Sequence, residues 1–219
     1  QDAVAAIAAA LQPGQMLIQA STGSTYGQVD GVCDEDTPIN PLTLYGETKA
    51  AAVAPVLDRG GVPLRFATVF GVSPRMRLDL LVNDIVYQVT HMRNFVMFEG
   101  HARRTFLHST DAARSVMFAL DNYSKMSGQP FNVGDEALNF TKQQIAELVK
   151  QKKDYYLHNA EFGEDKDKRD YEVSYARIKA LGFSAQVGMG DGLDELLRVM
   201  PFLRETSVMR NIYPRGASA

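Results

Sequence analysis

The chain has 219 residues, 45% of them hydrophobic and 22% charged, and 23 Lys+Arg against 26 Asp+Glu leave a net charge of −3. That length suits one large domain or two small ones with an ample core, and the near-neutral balance gives no support to nucleic-acid binding driven by bulk charge. No apolar run reaches the ~18–20 residues of a membrane span, and a single cysteine, Cys33, excludes an internal disulfide framework or a multi-cysteine zinc site; a reducing, cytoplasmic setting is the expectation.

The chain opens on Gln1 rather than Met, inside a pattern that already reads as helix: Val4, Ile7, Ala8 and Leu11 recur at helical spacing up to Pro13-Gly14. A chain that starts within an element predicts that further residues precede it. A strand is expected at 16–20, stopping at the small polar cluster 21–25, and 28–41 reads as a turn-rich surface loop. The Ala-rich stretch 44–59 is helical, with Pro55 set to kink or shorten it. Residues 62–70 form a β-branched and aromatic strand ending at Gly71.

A helix is expected over 78–89, then strands at 95–98 and 105–108, and Asp111 is expected to precede a helix that runs through residue 120. Residues 131–133 read as a strand with a turn at Gly134. Thr141 and Gln144 have the spacing of a capping box opening a helix with Ile145, Leu148 and Val149. A strand at 155–157 and a last helix from about 191, bounded by Pro201, complete the pattern. The charged run 164–170 reads as a solvated loop. Strands alternating with helices predict an α/β fold with a mainly parallel sheet.

Tyr45 and Lys49 stand four residues apart at the start of a predicted helix, a rise of roughly 6 Å, so their side chains share a face. Tyrosine is a poor base at neutral pH, its ordinary pKa being about 10. An adjacent ammonium favours the phenolate. The spacing alone is weak evidence, because both residues are common. Its surroundings are more specific: Ala20-Ser21-Thr22-Gly23-Ser24-Thr25-Tyr26-Gly27 upstream, Leu64 to Gly71 downstream, then Arg104-x-Phe106-Leu107-His108 with Asp111.

In order and spacing these motifs resemble the extended short-chain dehydrogenase/reductase family, in its NAD-dependent nucleotide-sugar epimerase/dehydratase branch. The resemblance implies a Rossmann-like, doubly wound parallel sheet beside a smaller α/β substrate-binding domain. The first would take 1–75 and 104–134, and the second 76–103 and 135–219. It implies that Thr22 hydrogen-bonds the reacting sugar hydroxyl and that Tyr45 is the general base. Lys49 would hold the cofactor ribose and favour the phenolate. Phe66 and Ala67 would adjoin the cofactor, NAD or NADP. Thr68, Asn83 and Phe98 would line the sugar and base pockets, and Arg104 and Arg169 would bind the diphosphate, a role that suits a guanidinium fork. A homodimer is the implied assembly.

The sequence also departs from the family. The dehydratase branch carries an Asp-Glu pair after its catalytic Thr; Gly23-Ser24 stand there. This favours epimerisation through a 4-keto sugar, or ketone reduction, over 4,6-dehydration. A non-catalytic cofactor-sensing or scaffold relative is the rival from another class, though it would have no need of the base. No Gly-x-Gly-x-x-Gly turn follows a strand. Gly188-Met189-Gly190-Asp191-Gly192 lies near the C-terminus and reads as a turn into the last helix. The missing strands and helices would amount to roughly a hundred residues before Gln1, a βαβ unit taking ~30 or more.

The four histidines have no metal-ligand spacing, and His108 is expected to brace the fold. Cys33 has no nearby basic pair and is read as an inert thiol. Arg75 and Arg77 read equally well as an anion-binding rim and as surface charge. Without a phosphate-cradling turn, the 219-residue chain alone should bind NAD more weakly than micromolar; titration calorimetry on this chain checks it.

Overall fold

The computed structural model describes residues 2–29, 31–160 and 172–203. In chain order these form α1 (Asp2–Ala10), β1 (Ile18–Thr22), β2 (Val32–Cys33), α2 (Leu44–Ala51), α3 (Val53–Leu57), β3 (Val62–Phe66) and β4 (Thr68–Phe70). There follow α4 (Leu81–Met92), β5 (Asn94–Met97), β6 (Arg103–His108), α5 (Ser109–Asp121), α6 (Tyr123–Met126), β7 (Phe131–Val133) and β8 (Asn139–Thr141). The last are α7 (Lys142–Lys152), β9 (Tyr156–Asn159), β10 (Glu172–Val173), α8 (Ala176–Ala180) and α9 (Met189–Val199). No helix among the described residues is long and apolar enough to cross a membrane.

A parallel sheet in the order β1-β3-β7 frames the first half of the molecule. Its register sets Thr22 beside Phe66 and Phe66 beside Val133, so three strands end side by side. Ligands of open α/β sheets bind outside such carboxyl ends. A second sheet, β4-β6-β8, is mixed, and β2-β10 and β5-β9 are two-stranded parallel pairs.

The single strand expected over 62–70 is divided. β3 pairs with β1 and β7, the Ala67 N–H donates to the Val133 carbonyl at 3.0 Å, and β4 then pairs with β6. A continuous apolar run looks the same whichever sheet it joins. Pro55 acts as expected, since the helical stretch breaks at Ala52 into α2 and α3. Its ring has no N–H and would strike the carbonyl four residues back. The helix expected from residue 78 begins at Leu81, although Leu78 is buried in the core ahead of it. α5 begins before Asp111, with His108 as its N-cap. Asp111 instead accepts from the Gln186 and Val187 N–H groups and pairs with Arg114. The Thr141–Gln144 capping box forms as read. α1 is present, and of its expected apolar face Ala8 is buried and Val4 and Leu11 are half-buried, while Ile7 is 56% exposed.

Two apolar cores result. One gathers Val62, Leu64, Leu107, Phe131 and Val133 with Val173, Tyr175, Ile178 and Phe183. The other gathers Phe70, Leu78 and the α4 stripe Val82, Ile85, Val86 and Val89 with α7 and α9. β6 divides them, Phe106 facing one and Leu107 the other, as strand alternation requires. Residues 173–183 thus pack into the first core, although the sequence division groups them with 135–219.

Buried polar groups tie the first sheet to the loops around it. The Tyr26 hydroxyl donates to Asn132 Oδ1 at 2.6 Å and accepts from Arg65 Nη1 at 2.9 Å. Arg65 also donates to the Glu35 carbonyl at 3.1 Å, and the Glu35 carboxylate accepts from the Asn132 N–H at 2.8 Å. All four residues are buried.

Burial pushes the phenols of Tyr26 and Tyr155 up from 10.0 to about 12, and the Cys33 thiol up from 9.0 to about 11. Each holds its proton more tightly folded than unfolded, so its contribution is complete below the unfolded value and lost as pH rises through the folded one. Urea midpoints should therefore be flat with respect to these groups up to pH 9 and fall between pH 9 and 12. Tyr155→Phe should flatten part of that fall.

Candidate active site

Thr22 ends β1 and caps the short 3-10 turn Gly23–Thr25. Its Oγ1 accepts from the Ser24 N–H and donates to Ser24 Oγ, both at 3.1 Å, and Thr25 Oγ1 donates to the Thr22 carbonyl at 2.9 Å. Gly27 follows at φ 76°, and a Cβ there would strike the Asn40 carbonyl. Asn40 N–H returns a bond to the Thr25 carbonyl at 3.0 Å, laying the loop before α2 against the turn.

Thr43 caps α2 by accepting from the Gly46 N–H at 3.1 Å. A Cβ on Gly46 would lie 3.0 Å from the Ser24 carbonyl and 2.9 Å from Pro41 Cβ. The missing side chain lets the first turn of α2 settle on the turn after β1. Tyr45 and Lys49 are thereby carried to the end of β1 on one helix face. Lys49 Nζ donates to the Ala20 carbonyl at 2.9 Å and stands 5.9 Å from the centre of the Tyr45 ring. Tyr45 is 55% exposed, and among the described residues its phenol makes no hydrogen bond.

Phe66, Ala67 and Thr68 lie at the carboxyl end of β3, next to Thr22. The structure thus brings together six of the residues singled out in the sequence. Asn83, Phe98 and Arg104 lie on the second core's side. Asn83 is buried, and its amide accepts from the Gly71 N–H at 3.1 Å and donates to the Arg77 carbonyl at 2.9 Å, so it shapes the loop after β4. Phe98 follows β5 directly, half-buried, its carbonyl accepting from Lys142 Nζ at 3.1 Å. Arg104 is buried on β6, and its Nη1 donates to the Arg103 carbonyl at 2.8 Å. Arg169 lies outside the described residues.

Three features exceed the sequence reading. Ser24 is the hydroxyl partner of Thr22, a link the two-residue spacing in the Ser/Thr cluster could have suggested. Arg77 grips Asp79 through Nε and Nη2, each at 2.6 Å, while Arg75 is exposed. The Asp79 carboxylate holds the Arg77 guanidinium above its ordinary range, with a smaller Coulombic contribution from Tyr45. Lys142 is the third, buried where α7 begins; a lysine opening a helix carries no sequence signal of such burial. His108 braces the fold: Nε2 lies 2.7 Å from Glu195 Oε2 and its ring packs edge-on against Phe70. The glycine cluster near the C-terminus opens α9, and a Cβ on Gly192 would meet Phe70 at 2.5 Å.

A Tyr–Lys pair on one helix face, set with a Thr hydroxyl at the carboxyl end of a parallel sheet, defines a protein of the short-chain dehydrogenase/reductase type. Residues 2–134 match the NAD dependent epimerase/dehydratase family, and the chain belongs to it. It is 31% identical over 127 residues to a Bacillus subtilis protein described as an uncharacterized UDP-glucose epimerase, covering 55% of this chain and 39% of that one. It is 26% identical over 155 residues to a UDP-glucose 4-epimerase of Corynebacterium glutamicum, covering 62% and 47%. The fold is shared with UDP-glucuronic acid 4-epimerase of Bacillus cereus, solved with UDP-glucuronic acid and NAD, at TM-score 0.80 and 22% identity over 92% of this chain and 67% of that one. The chain spans between 39% and 60% of the length of curated relatives it matches.

Cys33 is fully buried on β2, and burial with the Asp34 charge holds its thiol near pKa 11. Ellman's reagent at pH 8 should label it only at the rate of unfolding; immediate labelling of the native protein would contradict that placement.

Proposed function

We propose that the chain carries the catalytic and substrate-side residues of an NAD-dependent epimerase acting on a nucleotide-diphosphate sugar through a 4-keto intermediate. The observation behind this reading is the Lys49 ammonium, fixed by the Ala20 carbonyl at 2.9 Å and set beside the exposed Tyr45 phenol where β1 ends at Thr22.

Tyr45 takes the proton of the C4 hydroxyl as general base. The neighbouring ammonium favours the phenolate that this requires. Thr22, oriented by Ser24, accepts from or donates to the same hydroxyl and holds it against Tyr45. Residues present fit the nicotinamide-ribose end of a dinucleotide: Lys49, beside β1, would hold the ribose hydroxyls, and Phe66 and Ala67 lie at the end of the neighbouring strand, next to Thr22. NAD or NADP, when bound, would supply the hydride chemistry at C4. Tyr45 then returns the proton. Arg104, Arg169, Thr68 and Phe98 are the proposed diphosphate, sugar and base contacts, and Asn83 shapes the pocket through the 71–77 loop. Gly23 and Ser24 offer no carboxyl beside Thr22, which favours epimerisation over dehydration. The homodimer rests on the family resemblance alone.

Tyr45→Phe should lower turnover of UDP- or dTDP-sugars by about 10²–10⁴-fold in the NAD-loaded enzyme, with melting temperature unchanged. Full activity in that variant would sink the assignment. Net consumption of NAD(P)H, in place of recycling, would identify a 4-keto-sugar reductase using the same residues.

A further inference from the structure

Between β5 and β6 the chain makes a tight turn over residues 98–102. Ala102 N–H donates to the Glu99 carbonyl at 3.0 Å, and Glu99 sits at φ 50°, the left-handed region that a side-chain-bearing residue adopts reluctantly. Such a turn needs to be held from outside. The holding comes from the first two residues of α7. The Phe98 carbonyl accepts from Lys142 Nζ at 3.1 Å, the Gly100 carbonyl from the Gln143 N–H at 2.9 Å, and the Ala102 carbonyl from the Lys142 N–H at 3.1 Å. Alternate carbonyls along the turn are thus all satisfied by one helix start. The pairing continues into β6, where Arg103 lies opposite Thr141 and Arg104 opposite Phe140.

Lys142 is only 3% exposed. A buried ammonium is expensive to keep away from water and persists where it is hydrogen-bonded. Here the charge sits at a turn that starts at Phe98 and runs into β6, which carries Arg104. The N-terminus of α7 is itself occupied by its capping box and by the turn carbonyls, so it is not an open anion site.

We propose that Lys142 is a positioning residue for the nucleotide end of the substrate: through the Phe98 carbonyl it fixes the turn that sets Phe98 and Arg104 at their separation. The proposal rests on the reading above, in which those two residues contact the base and the diphosphate. Lys142 touches neither ligand group itself. Its effect is to spare the nucleotide the cost of ordering the turn, so it acts on affinity and not on the chemical step.

The test is calorimetric titration of the 219-residue chain with UDP and dTDP, and with uridine and thymidine. Lys142→Met keeps the stem and removes the ammonium; it should weaken the preferred diphosphate about tenfold. The matching nucleoside should weaken by a similar factor, because the base side of the turn is released. Arg104→Gln should weaken the diphosphate and spare the nucleoside. Lys142→Arg should recover binding, and Lys150→Met, an exposed position on the same helix, should change nothing. Binding by Lys142→Met within twofold of wild type overturns the inference and leaves the nucleotide reading standing. Failure of the wild-type chain to bind either diphosphate overturns both. If circular dichroism shows Lys142→Met unfolded, Lys142→Gln decides by the same criterion.

Discussion

The buried hydrogen-bond cluster of Tyr26, Arg65, Asn132 and Glu35 is the constraint on which the site depends. It joins the turn after β1, the middle of β3, the middle of β7 and the long loop before α2. In low dielectric each of these bonds is strong, and an unpaired member would leave a desolvated polar group costing about 1–3 kcal/mol. The cluster therefore resists rearrangement. Its arrangement fixes where Thr22 stands and how the loop returns to start α2, and so where Tyr45 and Lys49 arrive.

Two glycines make the close approach possible. Gly27 accepts the Asn40 carbonyl against its backbone, and Gly46 lets the helix start rest on Ser24. The Tyr45–Lys49 pair is thus set by polar locking beneath and steric permission above. On the other side of the molecule a different device serves the same end. There α7 and β8 hold the 98–102 turn and β6 together, and β6 is also the wall between the two cores. One strand consequently links the packing of the second core to that of the first.

Much of the site was legible because its signals are local. Tyr45 and Lys49 share a face through helix periodicity alone, Thr43 and Thr141 cap by their own side chains, and Pro55 breaks its helix through its own ring. What sequence patterns missed depends on partners distant along the chain. The division of 62–70 at Ala67 is made by Val133, and the burial of Leu78 outside any helix is made by a core assembled from α4, α7 and α9. The role of Asn83 belongs to the same class: an amide that reads as a pocket residue is bonded to two backbone groups of the preceding loop.

By itself, the sequence determined the α/β alternation, the Tyr–Lys geometry and the family, because periodicity, capping and linked motifs are written in neighbouring residues. Only the tertiary structure decided which strands share a sheet, that Ser24 partners Thr22, that Arg77 is paired with Asp79, and that a buried lysine bonds the turn that starts at Phe98. Those outcomes depend on which buried donor meets which acceptor, and desolvation makes that choice only once the chain has folded.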